Sequence, residues 1–199
     1  QTILRDVSFE LRKRERLAVL GPNGCGKTTF LRILTGAEAP DAGNVQWGVR
    51  NNVEFAYYNQ ILEELDPSDT VMHSVNTVQM ASTAPRKVVN RFLTLMQFSE
   101  LELRQKLGTL SGGQRARVAL AQCLLSGAPA IVLDEPTNHL DVTSTQVMER
   151  ALACFPGSVV VVSHDRFFID KVATRLLVFE GEGRTQTISG NWTGWQSQA

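Results

Sequence analysis

The chain has 199 residues, with 20 Lys+Arg against 20 Asp+Glu, 43% hydrophobic residues, 15 Gly, 7 Pro and 3 Cys, a balance that excludes disorder and collagen-like repeats. Zero formal net charge removes the whole-molecule electrostatic case for nucleic acid or anionic membrane, leaving room only for a local patch. Three separated cysteines, Cys25, Cys123 and Cys154, without any C-x-x-C pair argue for a reducing compartment and against zinc.

A chain of this length buries roughly 70% of its unfolded surface, so one domain with a substantial core, divisible into lobes, is expected. The longest apolar stretches, such as Ser158–Ser163, fall far short of the roughly 18 residues a spanning helix needs, so direct membrane insertion is not expected. The chain opens at Gln1 inside an apolar segment, which reads as a piece of something longer.

From the start, Val7, Phe9 and Leu11 alternate with Ser8 and Glu10, the period of a half-buried strand, and Arg12–Arg16 reads as the turn of a hairpin. Leu17–Leu20 is a short apolar strand running into Gly21–Gly26, after which Lys27–Leu34 is helical with Gly36 as its stop. Asn44–Trp47 and Val53–Tyr58, joined through Gly48 and Asn51–Asn52, are predicted to form an antiparallel pair. From Pro67 to about Ala128 the pattern is helical, with Val88, Val89, Phe92, Leu95 and Met96 at helical spacing. Strands return at Ala130–Leu133, Ser158–Val162 and Arg175–Phe179, spaced by helix-length segments, which predicts parallel strands with crossover helices.

Gly21-Pro22-Asn23-Gly24-Cys25-Gly26-Lys27-Thr28 fits G-x-x-x-x-G-K-[ST] between a strand and a helix, the context of a phosphate-binding loop. Its backbone N–H groups and the positive helix end would cradle α and β phosphates. Lys27 would reach the β and γ phosphates and the Thr28 hydroxyl would ligate Mg²⁺. Asp134 and Glu135 end an apolar strand, where charge is costly without a cation or hydrogen bonds; Asp134 is placed to hold Mg²⁺ and Glu135 to polarise an attacking water. A strand ending in a solvated acidic turn fits those two residues equally well. Leu110-Ser111-Gly112-Gly113-Gln114 opens a helix through an N-cap serine, leaving first-turn N–H groups free for an anion. By itself that is an ordinary capped helix; beside a phosphate loop it is a second anion site.

GPNGCGKTT, Gln60, LSGGQ, IVLDEP, the Asp141 of NHLD and the His164 of VSHD stand in the order and spacing of an ATP-binding cassette (ABC) domain, which this chain resembles over nearly its whole length. EPTNHLD, SHDRFFID, Gly190-Asn-Trp192 and Trp195 are most similar to the ABC-F group, soluble tandem-cassette ATPases that act on ribosomes. The resemblance implies an α/β P-loop fold with a mostly parallel core sheet, an antiparallel β portion and a helical lobe. It makes 1–199 a single ATPase domain, with a core lobe at 1–65 and 129–199 and a helical lobe at 66–128. It further implies that Gly21 to Thr29, with Thr29 included, bind ATP phosphates, and that Gln60 contacts Mg²⁺ or the attacking water. Asp134 would be the metal-binding acid, Glu135 the catalytic base and His164 the γ-phosphate contact. Ser111, Gly112, Gly113, Gln114 and Asp141 would complete the ATP held by an opposing cassette, so two cassettes would close head to tail around two ATP molecules.

The stretch from Lys27 to Leu110 is too short for the long helical arm of many ABC-F first cassettes, which suggests an armless second cassette. The adenine-stacking aromatic of the family would lie upstream of Gln1. Ribosome or RNA contact therefore rests on analogy, and the cytoplasm or an organelle stroma is the expected setting. A transporter's nucleotide-binding subunit and a nucleotide-gated interaction module with little turnover are the rival readings. Cys25 reads as a tolerated small residue, His73 as a solvated helix residue, His139 as structural, Trp192 and Trp195 as packing residues, and Arg12-Lys13-Arg14 as a solvated turn.

Overall fold

The computed structural model describes residues 3–47, 55–181 and 183–196. Among them, six strands form one sheet in the order β2-β3-β4-β1-β5-β6: β1 (Arg16–Leu20), β2 (Ala56–Tyr57), β3 (Ala130–Asp134), β4 (Ser158–Val162), β5 (Arg175–Gly181) and β6 (Arg184–Ser189). β1 lies between β4 and β5, both parallel to it, and β3 pairs parallel with β4 and with β2. β6 returns antiparallel along β5.

Parallel strands are covered on both faces, so they read as continuous apolar runs. Leu17, Val19, Val132, Val160, Val162 and Leu177 face one side, where α1 (Lys27–Leu34) packs Phe30, Leu31 and Leu34 on them. Ala18, Leu20, Ile131, Leu133, Val159 and Val161 face the other. There they meet α6 (Gly112–Leu125), α7 (Val142–Cys154) and α8 (Arg166–Val172). The same apolar cluster continues into α3 (Val71–Asn76), α4 (Gln79–Thr83) and α5 (Arg86–Leu95). Two shorter helices complete the set, α2 (Tyr58–Glu63) and α9 (Trp192–Gln196).

Four sequence expectations are corrected. Asp6–Leu11 is extended, with Val7, Phe9 and Leu11 half-buried and Ser8 and Glu10 exposed, but it joins no strand ladder; its apolar side packs over α1 instead. Asn44–Trp47 forms no strand, and among the described residues of the second predicted strand Ala56–Tyr57 pairs, in parallel with β3. Gly48, Asn51, Asn52 and Val53 lie outside the described residues. The antiparallel portion lies at the other end, where polar Arg184–Ser189 was given no strand by its pattern. On α5, Val89 and Leu93 are buried and Met96 follows them, while Val88 and Leu95 face outward. Their stripe is thus narrower than the spacing suggested. Trp192 and Trp195 stack edge-to-face at 5.1 Å against the core, as packing residues do.

Candidate functional site

The loop from β1 to α1 is built for an anion. Gly26 is the N-cap of α1 at φ 104°, a left-handed conformation that costs a side-chain-bearing residue energy, and no side chain caps the first turn. Those N–H groups are left pointing into the loop, where the helix end adds positive potential. Gly21 is fixed by crowding: a Cβ there would come 2.7 Å from Cys25 Sγ and 2.8 Å from Phe179 Cβ. Lys27 is 8% exposed and donates from Nζ to the Gly21 and Pro22 carbonyls at 2.8 and 2.9 Å. Pro22, Asn23, Gly24 and Thr28 are exposed on the loop surface, and Cys25 and Thr29 are half-buried.

Asp134 ends β3 beside the loop, half-buried. Burial pushes its carboxyl pKa up, and the Lys27 charge opposes that rise. Asn59 holds its backbone from both sides: Asn59 Nδ2 donates to Asp134 O at 2.7 Å, and Asp134 N donates to Asn59 Oδ1 at 2.9 Å. Because β2 ends at Tyr57 opposite Val132, the Asn59 amide continues the ladder where the backbone has already turned into α2. Glu135 sits at φ 46°, sparsely populated for a non-glycine residue, pinned by its N–H to Val162 O at 2.8 Å. Its Oε2 accepts from the His164 N–H at 3.2 Å, and Oε1 lies 3.4 Å from His164 Nε2. Oε1 is nevertheless buried without a hydrogen-bond partner, an acceptor left open at the site.

Thr28, Asn59, Asp134 and Glu135 line a cavity of about 750 Å³ together with Gly112, Arg115 and His139. Gln60 does not line it; its amide donates to Glu64 Oε1 at 2.9 Å on the exposed side of α2.

Ser111 caps α6 by accepting from Gln114 N at 3.2 Å, while Gln114 Oε1 accepts from Ser111 N at 2.8 Å. Gln114 Nε2 donates to Glu102 Oε1 at 2.6 Å, so this amide is committed to shaping the helix start. Ser111 and Gly112 are exposed, and Gly113 is buried against Asp141 and Ser144. Asp141 caps α7 by accepting from Ser144 N at 2.8 Å and from Ser144 Oγ at 2.9 Å.

Three residues that sequence reasoning did not single out therefore matter here: Asn59, Arg117 and Ser144. Asp141 is a legible N-cap residue before a helical pattern, but the Ser144 hydroxyl that fixes its carboxylate is not, since the capping signature puts Glu or Gln at that place. Buried Arg117, donating to Met96 O and Gln97 O at 3.1 and 2.7 Å, looked like one more polar position on a helix. Neither it nor the Asn59 clamp has a local pattern, because their partners lie 20 and 75 residues away in sequence. His73 pairs weakly with Asp69 at 3.7 Å on the surface.

A family model described as ABC transporter matches residues 4–138. The energy-dependent translational throttle protein EttA of Escherichia coli (strain K12) is 36% identical over 200 residues, covering 98% of this chain and 35% of the relative. The ATP-binding protein Uup-like of Haemophilus influenzae (strain ATCC 51907 / DSM 11121 / KW20 / Rd) is 37% identical over 202 residues, covering 100% of this chain and 44% of the relative. The chain thus spans less than half the length of these curated relatives. A solved dimeric ATP-binding cassette in a post-hydrolysis state, bound to ADP and Pi, has the same fold at a TM-score of 0.70 and 23% identity, over 94% of this chain and 90% of that one.

Proposed function

The chain belongs to the ABC transporter family of ATP-binding cassettes, and on that premise we propose that it binds and hydrolyses ATP with Mg²⁺ at a site completed by a second cassette, as part of an ABC-F protein acting on ribosomes. The observation that carries the reading is the placing of an uncapped glycine loop with its Lys27 beside Asp134 and the Glu135–His164 pair, with Thr28, Asp134 and Glu135 lining one cavity.

The donor set fits the metal: the Thr28 hydroxyl and the Asp134 carboxylate are hard oxygen ligands, and Asp134 is a half-buried charge in want of a cation. When bound, Mg²⁺ neutralises charge on the β and γ phosphates. Lys27 leaves the Gly21 and Pro22 carbonyls to meet the phosphates, and first-turn N–H groups of α1 hold them. Glu135, with Oε1 open, takes the proton of the attacking water, while His164 keeps that carboxylate oriented and meets the γ-phosphate. Gln60 joins the metal side only after giving up its bond to Glu64. Positioning and charge neutralisation suffice for phosphoryl transfer.

One cassette supplies donors on one side of the γ-phosphate. Ser111, Gly112 and Asp141 are exposed at the starts of α6 and α7, which supports a partner cassette capping the ATP of this one and being capped in turn. Residues 66–128 then act as the helical lobe carrying Ser111, and 1–65 with 129–199 as the core lobe. No helix among the described residues is long and apolar enough to cross a membrane. The test is co-sedimentation of Glu135→Gln with ribosomes plus ATP at low and moderate salt. Enrichment is expected, and none would return the reading to a transporter cassette. Ser111→Arg is expected to block pairing of cassettes while single-site ATP binding persists; loss of that binding would overturn the two-sided site.

A further inference from the structure

Gly113 and Gly112 are neighbours with opposite surroundings. A Cβ on Gly112 would stand in open space, whereas one on Gly113 would overlap Asp141 Oδ2, lie 2.6 Å from Ser144 Oγ and 3.3 Å from Ser144 Cβ. Gly113 belongs to the helical region and Asp141 and Ser144 to the start of α7, so this is a contact between the two parts of the molecule. It is also exacting. Ser144 is 1% exposed and holds both carboxylate oxygens of Asp141, one through its N–H and one through its hydroxyl. The carboxylate therefore has one place to be, and only a hydrogen on Cα leaves room for it.

Arg117, one helical turn beyond Gly113 and on the same face of α6, completes the arrangement. Its guanidinium is fixed by the Met96 and Gln97 carbonyls and lies 4.9 Å over the Phe98 ring, with Glu102 3.9 Å from Nη2. The Asp141 carboxyl is held below its ordinary range chiefly by the two Ser144 hydrogen bonds, with Arg117 adding to the effect.

We infer that Ser144 and Gly113 are positioning residues: Ser144 seats the Asp141 carboxylate against the bare Cα of Gly113, and that seat fixes where Ser111 stands relative to Asp141. The two groups offered to an opposing cassette are then presented as one rigid unit, so a partner's ATP meets both or neither. This inference rests on the two-cassette reading above; it adds Ser144, which lies outside the set that meets the opposing ATP, and gives Gly113 of that set a positioning role as well.

The test uses the Glu135→Gln protein and two readouts. The first is thermal unfolding without nucleotide. Gly113→Ala should lower the melting temperature by about 5 °C, as overpacking at a closed contact does. Gly112→Ala should leave it unchanged or raise it. In a Ser144→Ala background, where the hydroxyl is gone and Asp141 can swing aside, the Gly113→Ala loss should shrink by about half. The second readout is ATP-dependent association by sedimentation velocity beside ATP binding by single molecules of the chain. Ser144→Ala and Gly113→Ala should each weaken association about tenfold, with single-site ATP affinity within twofold, and Ser144→Thr, which keeps the hydroxyl, should recover most of the loss. Additive melting shifts would overturn the contact. Non-additive shifts with unchanged association would overturn its positioning role. Failure of the Glu135→Gln parent to associate would overturn the two-cassette reading and the positioning role with it, and is recognised before any Gly113 or Ser144 variant is made.

Discussion

At the scale of single residues, the site is defined by how few of its polar atoms are free. Glu135 combines a left-handed backbone with one uncommitted oxygen, and Lys27 is parked on carbonyls of its own loop. Glu135→Gln keeps size and hydrogen bonding and removes the base, so turnover is expected to fall on the order of 10²- to 10³-fold with ATP affinity little changed; phosphate release and equilibrium binding measure the two. Asn59→Ala leaves the Asp134 N–H and C=O without partners at a part-buried site, and a stability loss of about 1–3 kcal/mol in urea unfolding is expected. Asn59→Gln, one methylene longer, should not restore it. The motif residues were legible because phosphate chemistry demands small residues, a lysine and acids at fixed spacing. Asn59 was not, because nothing local to it announces a partner on another strand.

At the scale of elements, α1, α6, α7 and α8 all begin at the rim of the sheet that carries the chemistry, and α1 begins unlike the other three. α1 starts on a bare glycine, which leaves an anion site, whereas Ser111, Asp141 and Asp165 cap the others with side-chain oxygens. The Ser111–Gln114 box is tied down by Glu102. Burial raises the Glu102 pKa, but hydrogen bonds from Ser99 and Gln114 and the charge of Arg117 outweigh it, and the net direction is down. A depressed carboxyl contributes stability that is present above its unfolded value near 4.5 and lost as pH falls through the folded value. Glu102→Gln should therefore lower the urea midpoint at pH 7, where the ionised carboxylate contributes, and the gap from the parent should close between about pH 5 and pH 3. Ser111→Ala should cost about 1 kcal/mol through the lost cap, read as a lower midpoint. The helices themselves were legible from apolar periodicity and caps. β6 was not, because an edge strand with one solvated face, Arg184–Ser189, carries no apolar alternation.

At the scale of the whole molecule, the continuous apolar runs of β1, β3 and β4 announced a parallel sheet buried on both faces, and that sheet is what sets the loop, the acids and His164 along one rim. The early segments misled for a physical reason. Asp6–Leu11 has the alternation of a strand, yet among the described residues its backbone joins no strand ladder, and its apolar side chains roof α1. Asp134→Asn should raise the melting temperature of the nucleotide-free protein, since it removes a half-buried charge, and should abolish Mg²⁺-dependent ATP binding. Calorimetry with and without Mg²⁺ distinguishes the two effects.

The strand beneath the phosphate loop is flanked on both sides by strands that come much later in the chain. During synthesis, Leu17–Leu20 emerges early and waits, both edges bare, until Ser158 has been added, a delay on the order of ten seconds. A nascent cassette would thus carry an unpaired apolar β-segment until residue 158 is added, and chaperone dependence, or aggregation when elongation stalls before it, is the expected cost of seating β1 between two later strands.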